Sequence, residues 1–75
     1  MSFSNKSQSD LEELISYGAS VEISASNRSP DQLNSLAAYA KSSGVQLVIT
    51  GASGLGTQVL QEIAAYGKGH VMLKD

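Results

Sequence analysis

Few residues in this chain have types and spacing suited to chemistry. The run Leu47-Val48-Ile49-Thr50-Gly51-Ala52-Ser53-Gly54-Leu55-Gly56-Thr57 passes from an apolar stretch through three glycines to a helix start. Glycines let a backbone approach a ligand closely. A helix N-terminus presents unpaired N–H groups and the positive end of the helix dipole, which together favour an anion. The stretch therefore offers a phosphate cradle built from Gly51, Ser53, Gly54, Gly56 and Thr57. Arg28, in the loop Ser26-Asn27-Arg28-Ser29, is the cation that would join them, since open α/β sheets bind ligands beyond the carboxyl ends of their strands. His70 is the single histidine, and cysteine is absent. A structural metal site draws on about four N, S or O ligands. No such cluster is legible, so neither a metal nor another cofactor is expected. As an acid–base group His70 would need an oriented carboxylate, for which Glu22 and Asp75 are the candidates. The other acids, Asp10, Glu12, Glu13, Asp31 and Glu62, fall near helix starts or on helix faces, where capping and solvation account for them. Tyr17, Tyr39 and Tyr66 could stack a base or sugar. The favoured reading places them at the rim of the core with their hydroxyls in water.

The sequence Thr50-Gly51-Ala52-Ser53-Gly54-Leu55-Gly56 resembles the nucleotide-binding turn of the short-chain dehydrogenases, Thr-Gly-x-x-x-Gly-x-Gly. Its glycine spacing is one residue shorter than in that family, and the related extended branch carries glycine where this chain has Thr57. The resemblance implies a pyrophosphate seated on the turn and a ribose-binding acid at the end of the next strand, where Asp75 stands. It covers about 30 residues, from Leu47 to Asp75. The catalytic Tyr-x-x-x-Lys of that family is not found downstream, nor is the second half that holds the other nucleotide. A glycine motif alone has low specificity. The favoured reading is a tight strand-to-helix turn, with phosphate or nucleotide binding as the alternative.

These groups must be positioned by a repeated element. Three segments share one pattern: Leu11-x-x-Leu14-Ile15-x-Tyr17-Gly18, Leu33-x-x-Leu36-Ala37-Ala38-Tyr39-Ala40-Lys41 and Leu60-x-x-Ile63-Ala64-Ala65-Tyr66-Gly67-Lys68. Their tyrosines are 22 and then 27 residues apart. Each is followed by an apolar run: Val21-Glu22-Ile23-Ser24-Ala25, Val45-Gln46-Leu47-Val48-Ile49 and His70-Val71-Met72-Leu73. A period of this length denotes one supersecondary unit, repeated and stacked. Apolar residues at i, i+3 and i+4 give each first half a helical face, and alternation makes each second half a strand. Ser9-Asp10-Leu11-Glu12 and Ser29-Pro30-Asp31-Gln32 read as capping boxes. The third helix is expected from Gly56-Thr57. Gly18, Gly44 and Gly67 or Gly69 are expected to end the helices. Lys41 and Lys68 near helix ends suit the helix dipole.

The predicted fold is therefore α/β, with three helix–strand repeats, a parallel three-stranded sheet in order 1-2-3 and the helices on one face. Residues 1–8 read as a flexible tail and residues 9–75 as one domain. Val21, Ile23, Ala25, Val45, Leu47, Ile49, Val71 and Leu73 are expected to face the helices. Parallel sheets are normally covered on both faces. A sheet covered on one face is under-buried, and a 75-residue chain has a thin core. Without cysteine or a metal cluster, idealised packing or self-association remains as the staple. The open face would carry Val48 and Met72 at its centre, with Glu22, Gln46, Thr50 and His70 around them. An apolar centre with a polar rim is the composition of a protein contact. The edge strands offer unpaired backbone as a second route. The chain is thus read as a non-catalytic interaction module that joins to another copy of itself. Its five basic residues are scattered and its net charge is -2, against nucleic-acid binding. No apolar run reaches the roughly 18 residues of a membrane span. Residues 1–9 lack the apolar stretch of a signal peptide, and a cytoplasmic location is expected.

Overall fold

The computed structural model describes residues 7–75. Helices and strands alternate: α1 (Gln8–Ser16), β1 (Val21–Ser24), α2 (Pro30–Ser43), β2 (Leu47–Thr50), α3 (Thr57–Gly67) and β3 (Val71–Leu73). A single 3-10 turn follows each of the first two strands, at Ala25–Asn27 and Ala52–Gly54. The strands form one parallel sheet in the order β1-β2-β3. This is the expected α/β repeat. Most of the tail read at 1–8 lies outside the described residues; Ser7 and Gln8 cap and open α1.

Local chemistry accounts for the helix starts. At α2, the Ser29 hydroxyl accepts from the Gln32 N–H at 3.3 Å and the Gln32 side chain accepts from the Ser29 N–H at 2.9 Å. That is the reciprocal capping box, with Pro30 at the position where a missing N–H costs nothing. Helix α1 starts earlier than the Ser9 box implies. Ser7 and Asp10 have the same spacing as Ser9 and Glu12, and the Ser7 hydroxyl accepts from the Asp10 N–H at 3.2 Å. The earlier start makes Gln8 helical, and its side chain donates to the Gln32 carbonyl of α2 at 3.2 Å. Glu12 is thereby released to tie α1 to α2, accepting from the Ser35 hydroxyl at 2.9 Å. Helix α3 starts as expected at Thr57, but its N-cap, Gly56, offers no side-chain acceptor.

The helix ends divide into two kinds. Helices α1 and α2 close on Gly18 and Gly44, both at positive φ. Each closure has the paired bonds of a Schellman motif: Ala19 N–H to Leu14 O at 3.0 Å and Gly18 N–H to Ile15 O at 2.9 Å, then Val45 N–H to Ala40 O at 3.1 Å and Gly44 N–H to Lys41 O at 3.3 Å. Val45 is spent in this closure, so β2 opens at Leu47 rather than at Val45. Helix α3 ends otherwise. Gly67 is its last residue and is buried, and Lys68 takes the left-handed conformation after it, at φ 43° and ψ 61°. Gly67 is small because of close packing. A Cβ there would overlap Cγ2 of Val71 and lie 3.2 Å from Val71 Cβ and 3.5 Å from Ala37 Cβ. Helix α3 thus lies tight against both β3 and α2.

All three helices cover the same face of the sheet. Leu11, Ile15, Leu33, Leu36, Ala37, Ala40 and Ile63 form one buried cluster with Val21, Ile23, Leu47 and Ile49. Along β1 and β2, burial alternates residue by residue, as a half-covered strand requires. The third strand departs from expectation. Val71 is half-buried and Leu73 is 36% exposed, so the helix-facing side of β3 is incompletely covered. Among the described residues no helix is long and apolar enough to cross a membrane.

Candidate contact surface

The open face is laid out by strand register. Glu22 pairs with Val48 and Val48 with Met72, so these three side chains form one row across the sheet. Ser24 pairs with Thr50 in the row toward the carboxyl ends. Gln46 and His70 precede the paired residues Leu47 and Val71, which puts them side by side in the row toward the amino ends. All six residues read from the sequence as interface therefore share this face. Val48 is half-buried by its neighbours, and Met72 is 49% exposed. Beside them Ser20, Val21, Glu22, Gln46 and Val48 line a shallow depression of about 330 Å3.

Much of the polar rim is already engaged. The Thr50 hydroxyl donates to the Ile23 carbonyl at 3.2 Å, tying β2 to β1. The Ser20 hydroxyl accepts from the Gln46 N–H at 3.2 Å. His70 Nδ1 lies 3.2 Å from the Val45 carbonyl oxygen. A carbonyl only accepts, so Nδ1 is the donor in this bond. These bonds brace the sheet and spare the Thr50 and Ser20 hydroxyls a new partner if the face is covered. Of the acids considered for His70, Glu22 stands on β1 with β2 between them, a backbone separation of about 9.6 Å at the spacing of a parallel sheet. Asp75 lies five residues further along the chain, past the far end of β3.

The glycine-rich turn is partly committed to the fold. Gly51 is left-handed at φ 69°, and a 3-10 turn separates β2 from α3. Three of its N–H groups are spent within the fold: Ala52 on Lys74 O at 2.8 Å, Gly54 on Gly51 O at 3.2 Å and Leu55 on Ala52 O at 3.0 Å. Ser53, Gly54, Gly56 and Thr57 are exposed. A Cβ at Gly54 or Gly56 would meet nothing within 4 Å. The Arg28 guanidinium donates to the Gln8 side chain of α1 at 3.4 Å.

The tyrosines do not form one ladder. Tyr17 and Tyr39 line a groove of about 440 Å3 with Ser9, Glu12, Glu13 and Ser16, and Tyr66 is not among its walls. Two carboxylates in that groove oppose nucleic acid. Among the described residues, no three His, Cys, Asp or Glu side chains gather into a metal cluster.

No protein-family model, curated protein or solved structure matches this chain. Function therefore rests on the geometry of its surfaces. Sequence reasoning named the open face and the free backbone edge of the third strand, but expected Val71 and Leu73 to be covered by the helices and so missed the incomplete cover along the outer flank of α3 and β3. The signal for it was present: a strand at the end of the sheet order has a neighbour on one side only.

Proposed function

We propose that this chain is a non-catalytic interaction module that associates with a second copy of itself through the open face of its sheet. The carrying observation is that Val48 and Met72 sit side by side on the uncovered face of a parallel sheet, with Met72 half exposed. Parallel sheets in folded domains are buried on both faces, so an uncovered one has apolar area still to remove from water. A rim whose hydroxyls are already bonded within the sheet supports the same reading. The catalytic alternative lacks a paired acid and base on this face. The phosphate alternative at 50–57 has less support, because the turn spends three N–H groups internally.

Mass in solution, measured by light scattering over a wide concentration range, tests the proposal. Mass above that of one chain is expected, rising with concentration. Val48→Asp or Met72→Glu should lower it while leaving the far-ultraviolet spectrum unchanged. A single-chain mass at every concentration, or unaltered assembly in both variants, would overturn it.

A further inference from the structure

The three units can be compared position by position, because the helix motif and the strand register both define equivalents. In the middle unit Leu33, Leu36 and Ala37 of α2 and Leu47 and Ile49 of β2 are all fully buried. This unit has a neighbour on each side. In the first unit the equivalents Leu11, Ile15, Val21 and Ile23 are buried as well, and only Leu14 is left half exposed. In the third unit the pattern reverses. Ile63, the equivalent of Leu14, is fully buried, while Leu60 and Val71 are half exposed and Ala64 and Leu73 are exposed.

The two deficits are complementary. Position Leu14 is covered in later units by the unit before it. Positions Leu60, Ala64, Val71 and Leu73 are covered in earlier units by the unit after it. The contact of Gly67 against Ala37 shows the second kind of cover directly, since Ala37 is the equivalent of Ala64. The element order explains the offset. Each unit is a helix followed by a strand, so among the described residues α1 overhangs one side of the sheet and β3 forms its other edge. A following unit would lay its helix over the helix-facing side of β3 and its strand along the free edge of β3. The first unit of this same chain supplies that combination, with Leu14 on a helix that has no preceding neighbour among the described residues.

We infer that copies of this chain associate head to tail, with α1 and β1 of one copy continuing the sheet and helix layer beyond α3 and β3 of the next. The contact repeats between chains the interface that already joins units within a chain. It differs from the open-face contact in surface and symmetry. The join is heterologous, so it propagates into an open stack or closes into a ring. Carrying the internal register forward pairs Val71 with Val21 of the second copy, Met72 with Glu22 and Leu73 with Ile23.

Cysteine cross-linking tests this register in a chain with no native cysteine. Neighbouring parallel strands lie about 4.8 Å apart, within the roughly 4.4–6.8 Å that a disulfide spans between Cα atoms. Within one chain, positions 22 and 72 are separated by β2, at about twice that spacing, so they cannot bridge intramolecularly. Glu22→Cys and Met72→Cys proteins, mixed and mildly oxidised, should give a mixed 22–72 disulfide in excess over the homodimers. A chain carrying both cysteines should run as a ladder of dimer, trimer and longer species, or as one closed ring. Adding Ala64→Glu, on an exposed position that folding does not need, should abolish the ladder. Adding Val48→Asp should leave it intact, even where that change removes the open-face contact. Homodimers of Met72→Cys alone as abundant as the mixed product would overturn the inference in favour of a face-to-face contact. So would a ladder that survives Ala64→Glu, a ladder lost with Val48→Asp, or no cross-linking at all.

Discussion

Substituting Gly67 by alanine perturbs the close approach of α3 to β3. The added methyl would overlap the Cγ2 methyl of Val71 and lie 3.2 Å from the Val71 Cβ. Valine is stiff at χ1, and rotating it moves Cγ2 but leaves the tight Cβ contact in place. Relief therefore requires β3 to move away from α3. Overpacking of this kind costs about 1–3 kcal/mol. Alanine returns up to about 1 kcal/mol of helix propensity in a helix interior, and less at the last helical residue. The net expectation is destabilisation by about 1–2 kcal/mol, a fall in Tm of roughly 5–15 °C for a domain this small. Val71→Ala alone removes two half-buried methyl groups and should cost about 1 kcal/mol. In the double variant the overlap with Cγ2 is gone and only the tight Cβ contact remains, so the two effects should fall short of their sum by about 1 kcal/mol. Thermal and urea unfolding, followed by circular dichroism on all four proteins, measures this cycle. Additive effects, or a Gly67→Ala protein as stable as the parent, would refute the close approach. The position of β3, which carries Met72 and Leu73, would then need revision as well.

Two further substitutions probe the ends of α3. Lys68 holds a left-handed conformation that costs an ordinary residue about 1–2 kcal/mol, so Lys68→Gly should raise stability by about 1 kcal/mol; an unchanged or lower Tm would contradict the observed cap. Gly56 caps α3 with an extended backbone, φ -67° and ψ 154°, no side-chain acceptor and open space around its Cα. Gly56→Asp should therefore gain about 0.5–1 kcal/mol from the cap and from a stiffer unfolded chain. It also separates the readings of the glycine-rich turn. A parent protein whose Tm rises with millimolar phosphate or nucleotide, and a Gly56→Asp protein whose Tm does not, would favour anion binding there.

The open-face residues were legible because a strand's side chains alternate. Once Val21–Ala25, 45–49 and 70–73 are read as strands, Val48 and Met72 must point away from the helices, and a parallel register sets them side by side. The helix starts at Ser29 and Gly56 were legible for a similarly local reason, since caps act over three residues. Ser7 and Ser9 show the limit of that reasoning. Both offer a hydroxyl three residues before an acid, and the contact of Gln8 with α2 selects the earlier one.

The sequence by itself determined the order of elements, the strand alternation and the breaks at Gly18 and Gly44. Each depends on interactions within a few residues. Tertiary structure alone decided why Gly67 is glycine, because Val71 and Ala37 are brought against it by packing. It also decided which copies of a repeated position are covered. Leu33 and Leu60 have the same motif around them, yet Leu33 is buried and Leu60 is half exposed. Burial is a property of neighbours in space, and the third unit has none on its far side among the described residues.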